Sequence, residues 1–286
     1  MRAAKLFLKE IRIEHTLFAL PFAYVGALFG AGGIPPWRML CWITVAVLGA
    51  RTAAMAANRY FDRAIDARNP RTAKRALASG TLPPAVMLWS AAAGIALLVL
   101  AASQLNPLCL KLLPLAVLAL VVYPLCKRFT WLTHFVLGAV DGLAPLGAYI
   151  AVSGRVTISA WLLFGAVALW VAGFDMMYAL MDLPIDRAQG LHSLPARFGE
   201  RTAGFAAVAF HACMIVLLGA AGRFAGASAP YALGLALAAT LIAYELRLVE
   251  RLKDYAALNE RIFTANMGFS VAFLATTALA FALPGS

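Results

Sequence analysis

Long apolar runs without one charged residue, such as Ala85–Leu100 and Val156–Trp170, constrain this chain more than any other feature. A helix needs about 20 mostly apolar residues to cross a bilayer core of about 30 Å. Of the 286 residues, 63% are hydrophobic, which is enough for about nine crossings. Strands of a membrane barrel would alternate apolar and polar residues, and these runs do not. Helices, which satisfy their own backbone groups in lipid, remain. Charged residues make up only 13%, about half the share in soluble domains. A soluble globular protein, a disordered chain and a single-span anchor are thereby excluded. Spans are expected over 16–32, 38–60, 84–104, 108–126, 131–152, 158–181, 202–222, 229–248 and 262–284. The breaks carry loop chemistry, including Gly32-Gly33, Asn69-Pro70, Pro83-Pro84, Asn106-Pro107 and Ser153-Gly154. No linker divides the chain, so residues 1–286 read as one domain, an all-α integral membrane bundle.

The net charge of +11 comes from 24 Lys and Arg against 13 Asp and Glu. In a soluble protein that would suggest nucleic acid. Here the first explanation is topogenic, since Lys and Arg collect in cytoplasmic loops, and no nucleic-acid partner is expected. The bias places the amino terminus in the cytoplasm and, with an odd span count, the carboxy terminus outside. The opening segment reads as an uncleaved first span because no small-residue cleavage site follows it. Cys41, Cys109, Cys126 and Cys213 have no metal-binding spacing and read as small buried hydrophobes. No acid falls in a loop assigned to the outside. Acids contribute little to topology, so their placement needs another cause.

Two acidic clusters supply it. Asn58, Asp62 and Asp66 are spaced i, i+4, i+8 and stack three oxygen-bearing side chains on one helical face. Arg51 lies two turns earlier on that face. A column of oxygens is unfavourable without a cation, and hard oxygen ligands suit Mg²⁺, which usually shares its shell with substrate phosphates. A solvated helix end is the plainer reading. In the second cluster Asp175, Tyr178 and Asp182 are spaced i, i+3, i+7, and Asp186 follows one turn later, past Pro184. An acid directly after the apolar run 161–174 is costly and marks a functional site. Each cluster leads into a basic, Gly-containing loop, one with Arg71 and Lys74, the other with His192, Ser193 and Arg197. A diphosphate wants divalent cations on one flank and Arg or Lys on the other.

At these residues the sequence resembles the UbiA superfamily of intramembrane prenyltransferases. The resemblance rests on Asn58-x3-Asp62-x3-Asp66, on Asp182-x3-Asp186 preceded by Asp175 and Tyr178, on Arg51, and on the segment Glu14–Pro21. The stretches Asn69–Ala73 and Gly190–Ser193 resemble the 4-hydroxybenzoate polyprenyltransferase group, including menaquinone-route members. Many relatives carry Lys where His192 stands. The resemblance implies nine helices around a central cavity, open to lipid and capped by cytoplasmic loops, in a bacterial inner membrane. It implies transfer of a polyprenyl group from its diphosphate to an aromatic acid in quinone biosynthesis. Mg²⁺ would be held by Asn58, Asp62, Asp66, Asp182 and Asp186, with Asp175 beside them in the catalytic set. Tyr178 would steady an allylic cation.

Weaker signals remain. Asp141, inside the fifth span, is expected to face the cavity and either orient the acceptor or take its proton. Arg12 and Arg51 suit either an acceptor carboxylate or the diphosphate. His15, His134 and His211 have no metal spacing and read as hydrogen-bonded helix residues. Residues 247–261 read as an amphipathic surface helix. A CDP-alcohol phosphotransferase is ruled out because Asp141-Gly142 is followed by Leu143-Ala144-Pro145 and lacks the required Arg. An ion-coupled transporter is the remaining rival; inverted repeats and midplane acids would favour it, but the sequence shows no convincing repeat and its acids cluster at one face.

Overall fold

The computed structural model describes residues 6–7, 10–11, 16–251 and 255–283. Among them every regular element is helical: α1 (Thr16–Ala31), α2 (Trp37–Arg68), α3 (Pro84–Gln104), α4 (Pro107–Val122), a 3-10 turn (Tyr123–Arg128), α5 (Thr133–Ser153), α6 (Ile158–Ala179), the short α7 (Leu183–Ala188) and α8 (Leu194–Phe198), α9 (Glu200–Ala225), α10 (Pro230–Arg251) and α11 (Tyr255–Ala282). Among the described residues eight helices are long and apolar enough to cross a membrane. The helix α1, the expected first span, has 16 residues and rises only about 24 Å. Exposed aromatic side chains mark both ends of the bundle, Trp37 and Trp161 at one, Trp89 and Phe205 at the other. Belts of this kind sit at membrane interfaces.

The long helices start where the sequence lets them. Pro84 and Pro107 occupy first-turn positions, where the missing N–H costs nothing. Asn106 accepts a hydrogen bond from the Leu108 N–H at 2.9 Å and caps α4. Two glycines set the α5–α6 crossing. A Cβ at Gly138 would lie 2.1 Å from the Ala168 carbonyl oxygen, and one at Gly142 would lie 2.7 Å from that of Phe164. Small residues at such crossings let membrane helices approach closely. The main core packs Phe22, Trp170, Phe269 and Phe273 together, with Phe22 and Trp170 centroids 4.7 Å apart.

A polar network crosses this core. The His211 Nδ1 lies 2.6 Å from Glu245 Oε2, and Asn266 Nδ2 donates to Glu245 Oε1 at 2.6 Å. Trp170 Nε1 donates to Asn266 Oδ1 at 2.5 Å. In lipid such bonds tie helices together, here α6, α9, α10 and α11. Gly173 makes room for the imidazole, since a Cβ there would meet His211 Nε2 at 2.5 Å.

Four expectations need correction. The second span extends to Arg68, so all of Asn58–Asp66 is helical. The sixth helix ends at Ala179, and a turn separates Asp175 and Tyr178 from Asp182, which precedes α7. Pro184 therefore begins a new helix, and the expected continuous acidic face is broken. Residues 247–261 form no separate surface helix among the described residues, because α10 runs to Arg251 and α11 starts at Tyr255. Only Cys126 is buried, and Cys41 and Cys213 are exposed on the apolar exterior.

Candidate active site

An apolar cavity of about 450 Å³ lies between α2, α3, α4 and α5, within the range of small-molecule sites. Its walls are aliphatic along α4 and the later turns of α5. Leu115 and Trp161, which also line it, are largely exposed on the bundle's outer surface. Among the described residues the only charged ones on its wall are Arg51 and Asp141. Arg51 Nη1 lies 3.4 Å from Asp141 Oδ1, across 90 residues of chain. The sequence marked both as intramembrane charges but did not pair them.

The acidic clusters lie beyond the polar end of this cavity. Asn58 is two turns past Arg51 on α2, roughly 10 Å along the axis. Asp62 is 3% exposed. Its Oδ2 accepts from Asn58 Nδ2 at 3.1 Å and from Lys127 Nζ at 2.6 Å. Its Oδ1 has Arg128 at 3.9 Å and is buried without a hydrogen-bond partner. Asp66 accepts from Arg75 Nη1 at 2.8 and 2.7 Å, and Arg59 is 3.9 Å away. Arg59 in turn donates to the Glu10 carbonyl oxygen at 3.0 Å.

The two clusters meet. Asp182 Oδ1 accepts from Asn69 Nδ2 and Arg71 Nε, both at 2.8 Å, and Arg71 Nη2 reaches Asp182 Oδ2. The loop after the first cluster thus grips the second in the forked geometry that Arg and carboxylate favour. The backbone N–H of His192 donates to the Lys127 carbonyl at 2.7 Å, which ties the second loop to the turn that supplies Asp62 with its lysine. Burial alone would raise the Asp182 carboxyl. The bonds from Arg71 and Asn69 overcome it and hold the group below its ordinary value. Burial and the adjacent Asp182 charge push Asp186 up to about 6, against the pull of Lys127, His134 and Arg71. Asp186 therefore feels charges from both halves of the site.

The remaining expected residues divide. Tyr178 is half-buried and within electrostatic reach of Arg71. Lys74 is exposed. Ser193 is buried and caps α8, accepting from the Ala196 N–H at 3.2 Å. Arg197 lies over the Trp131 and Phe198 rings at 5.6 and 5.4 Å. Asp175 pairs with His134, Nδ1 to Oδ2 at 2.7 Å. Arg12 and His15 fall outside the described residues. Asn69, Arg75, Lys127, Arg128 and His134 were not singled out for the site by sequence. The Lys127-Arg128 pair in a short break was the available signal. Nothing local distinguished His134.

The donor set can be tested against a divalent cation. Among the described residues no three His, Cys, Asp or Glu side chains converge on one point, because loop cations engage Asp62, Asp66 and Asp182. The chemistry nonetheless fits Mg²⁺. The ligands are hard oxygens, and the buried Asp62 Oδ1 lacks a hydrogen-bond partner.

Comparison with known proteins places the chain. Residues 19–267 match the model of the UbiA prenyltransferase family. The chain is 31% identical to the 4-hydroxybenzoate octaprenyltransferase of Pseudoalteromonas atlantica over 274 residues, covering 95% of this chain and 93% of that one. It is 35% identical to the enzyme of the same name from Alkalilimnicola ehrlichii over 230 residues, 78% and 76% of the two chains. Among solved structures, a UbiA homolog from Aeropyrum pernix K1 superposes with a TM-score of 0.84 at 35% identity, over 93% of this chain and 98% of that one. A UbiA homolog from Archaeoglobus fulgidus bound to GPP and Mg²⁺ shares the fold, with a TM-score of 0.71 at 18% identity over 96% and 99% of the two chains. The bundle, its two meeting acidic ends and these likenesses agree: the chain belongs to the UbiA prenyltransferase family.

Proposed function

We propose that this protein transfers a polyprenyl group from polyprenyl diphosphate to an aromatic acid of the 4-hydroxybenzoate type in quinone biosynthesis. Ubiquinone formation is favoured over the menaquinone route because the relatives above are named for 4-hydroxybenzoate. The observation that carries the reading is the junction of the two acidic ends through Arg71 and Asp182, next to an apolar cavity whose polar end is Arg51 and Asp141.

In this reading the diphosphate enters between the clusters. Arg71, Arg75 and Lys127 exchange their carboxylate partners for phosphate oxygens, and the exposed Lys74 adds its charge. Asp62, Asp66 and Asp182 are thereby freed and, with Asn58 and Asp186, would hold Mg²⁺, which when bound neutralises charge on the departing group. The Archaeoglobus fulgidus homolog with GPP and Mg²⁺ supports this use of metal. Departure of diphosphate leaves an allylic cation at the inner end of the apolar cavity. The aliphatic walls hold the tail and exclude water, which would otherwise trap the cation. Tyr178 offers its ring to the cation. Arg51 holds the acceptor's carboxylate with its planar fork, Asp141 keeps that fork in place, and the arene attacks. The membrane is a bacterial inner membrane, with the acidic end and the amino terminus facing the cytoplasm.

The test incubates membranes with octaprenyl diphosphate and 4-hydroxybenzoate or a dihydroxynaphthoate, then identifies product by mass. Prenylated 4-hydroxybenzoate should form, vanish with EDTA and return with Mg²⁺. Transfer that persists in EDTA, or no transfer to any arene, would refute the reading.

A further inference from the structure

We propose that His134, oriented by Asp175, is the base that accepts the proton lost from the acceptor ring. The inference rests on the prenyl-transfer reading and adds to it a residue that sequence alone left as a packed histidine.

His134 is 2% exposed, and its Nδ1 lies 2.7 Å from Asp175 Oδ2. A carboxylate can only accept, so Nδ1 donates in this contact, and in the neutral form of such a ring the lone pair is on Nε2. Nε2 is buried and has no hydrogen-bond partner. A buried polar atom without a partner is expensive and calls for an explanation. A carboxylate on one imidazole nitrogen and a free lone pair on the other is the arrangement of a general base.

A second buried histidine in the same protein provides the contrast. His211 also pairs its Nδ1 with a carboxylate, at 2.6 Å. Its Nε2, however, faces the Trp170 carbonyl oxygen at 3.1 Å, and its partner Glu245 is only 3% exposed against 30% for Asp175. The His211 pair is saturated and sealed, and it serves packing. The His134 pair leaves Nε2 without a partner, and its carboxylate reaches accessible space.

His134 lies in the first turn of α5. One and two turns on, Leu137 and Asp141 line the cavity. On its other side, Asp186 of the diphosphate clamp is within electrostatic reach. His134 is thus two turns along α5 from Asp141 of the cavity wall and within electrostatic reach of Asp186. The competing carboxylates are committed. In the reading above Asp62, Asp66, Asp182 and Asp186 would hold Mg²⁺ while the diphosphate is bound, and Asp141 is paired with Arg51.

The step balances. The C1–O electron pair leaves with diphosphate, and a ring π pair forms the new C–C bond. The ring C–H bond then breaks, its electrons restore aromaticity, and its proton goes to Nε2. Asp175 offsets the imidazolium charge until the proton passes to water at the acidic end.

The experiment compares wild type, His134→Asn and Asp175→Asn in membranes. It uses octaprenyl diphosphate and 4-hydroxybenzoate carrying hydrogen or deuterium at the ring carbons beside the hydroxyl. Asn retains a donor toward Asp175 and lacks Nε2. We expect kcat to fall about 100-fold or more, with both KM values within about twofold. The deuterium effect should rise from near 1 in wild type to above about 2, because proton loss becomes limiting. Hydrolysis of octaprenyl diphosphate without arene should survive, which shows an intact clamp and fold. Unchanged kcat, a loss of kcat without an isotope effect, or loss of hydrolysis together with transfer would each overturn the proposal. Failure of wild type to prenylate any arene would instead refute the function on which it rests.

Discussion

Replacing Arg51 with Met tests both halves of the site's polar end. Methionine has similar bulk and no charge, so the cavity stays filled. At 3.4 Å the Arg51–Asp141 attraction is about 5 kcal/mol for an effective dielectric of about 20. Most of it is offset by the cost of taking both charges out of water. What the variant loses is compensation, because Asp141 remains as an isolated carboxylate on an apolar wall. Breaking one side of such a pair costs about 3–5 kcal/mol. Arg51→Met should therefore lower the protein's thermal stability markedly. Asp141→Leu should do the same, and the double variant should recover most of the loss. The catalytic consequence is separate. A charge-assisted hydrogen bond to a carboxylate is worth about 1.5–3 kcal/mol, or about 10- to 100-fold in kcat/KM. The assay measures initial rates for 4-hydroxybenzoate and its methyl ester in the Arg51→Met/Asp141→Leu double variant, where stability is recovered. The acid should lose that factor and the ester far less. An equal fall for both, or single variants as stable as wild type, would show that Arg51 neither binds the acceptor carboxylate nor is paired in the folded protein.

Further outcomes follow from the same geometry. Lys127→Met removes a 2.6 Å partner of Asp62, and should raise KM for the prenyl diphosphate about tenfold while leaving KM for the arene unchanged. Gly138→Val places a Cβ against the Ala168 carbonyl, and should cost about 2 kcal/mol or more in a thermal denaturation assay. Gly204→Ala, which meets nothing within 4 Å, should cost far less. Asp186, raised to about 6 by burial and by Asp182, keeps its proton below that pH, and proton and cation compete for it. Mg²⁺ affinity measured by titration calorimetry should therefore weaken as pH falls through about 6, and Asp186→Asn should flatten that dependence.

Much of the fold was legible because membrane helices announce themselves by length and apolarity. The helices α3, α5 and α6 begin and end within a few residues of expectation, bounded by Pro83-Pro84, Ser153-Gly154 and Ala179. The column Asn58, Asp62, Asp66 was legible because i, i+4 spacing is local. What spacing could not reveal was partnership. Arg71 finds Asp182 across 111 residues, and His134 finds Asp175 across 41. No helical period encodes either pairing. The break after Ala179 was obscured because Asp175, Tyr178 and Asp182 fit one helical face on paper, although Pro184 opens a new helix. Glu245 was not singled out by the sequence, yet it is 2% exposed in a hydrogen-bonded core network.

The central claim is that two acidic helix ends act on one diphosphate, and a double-mutant cycle on the rate of polyprenyl transfer tests it most directly. Asp62→Asn and Asp182→Asn should each lower the rate by about 100-fold or more. If they serve the same leaving group, the double variant should be little worse than the poorer single one, because residues that act as a unit are strongly non-additive. Rates that multiply independently, or a single variant as fast as wild type, would contradict the shared clamp.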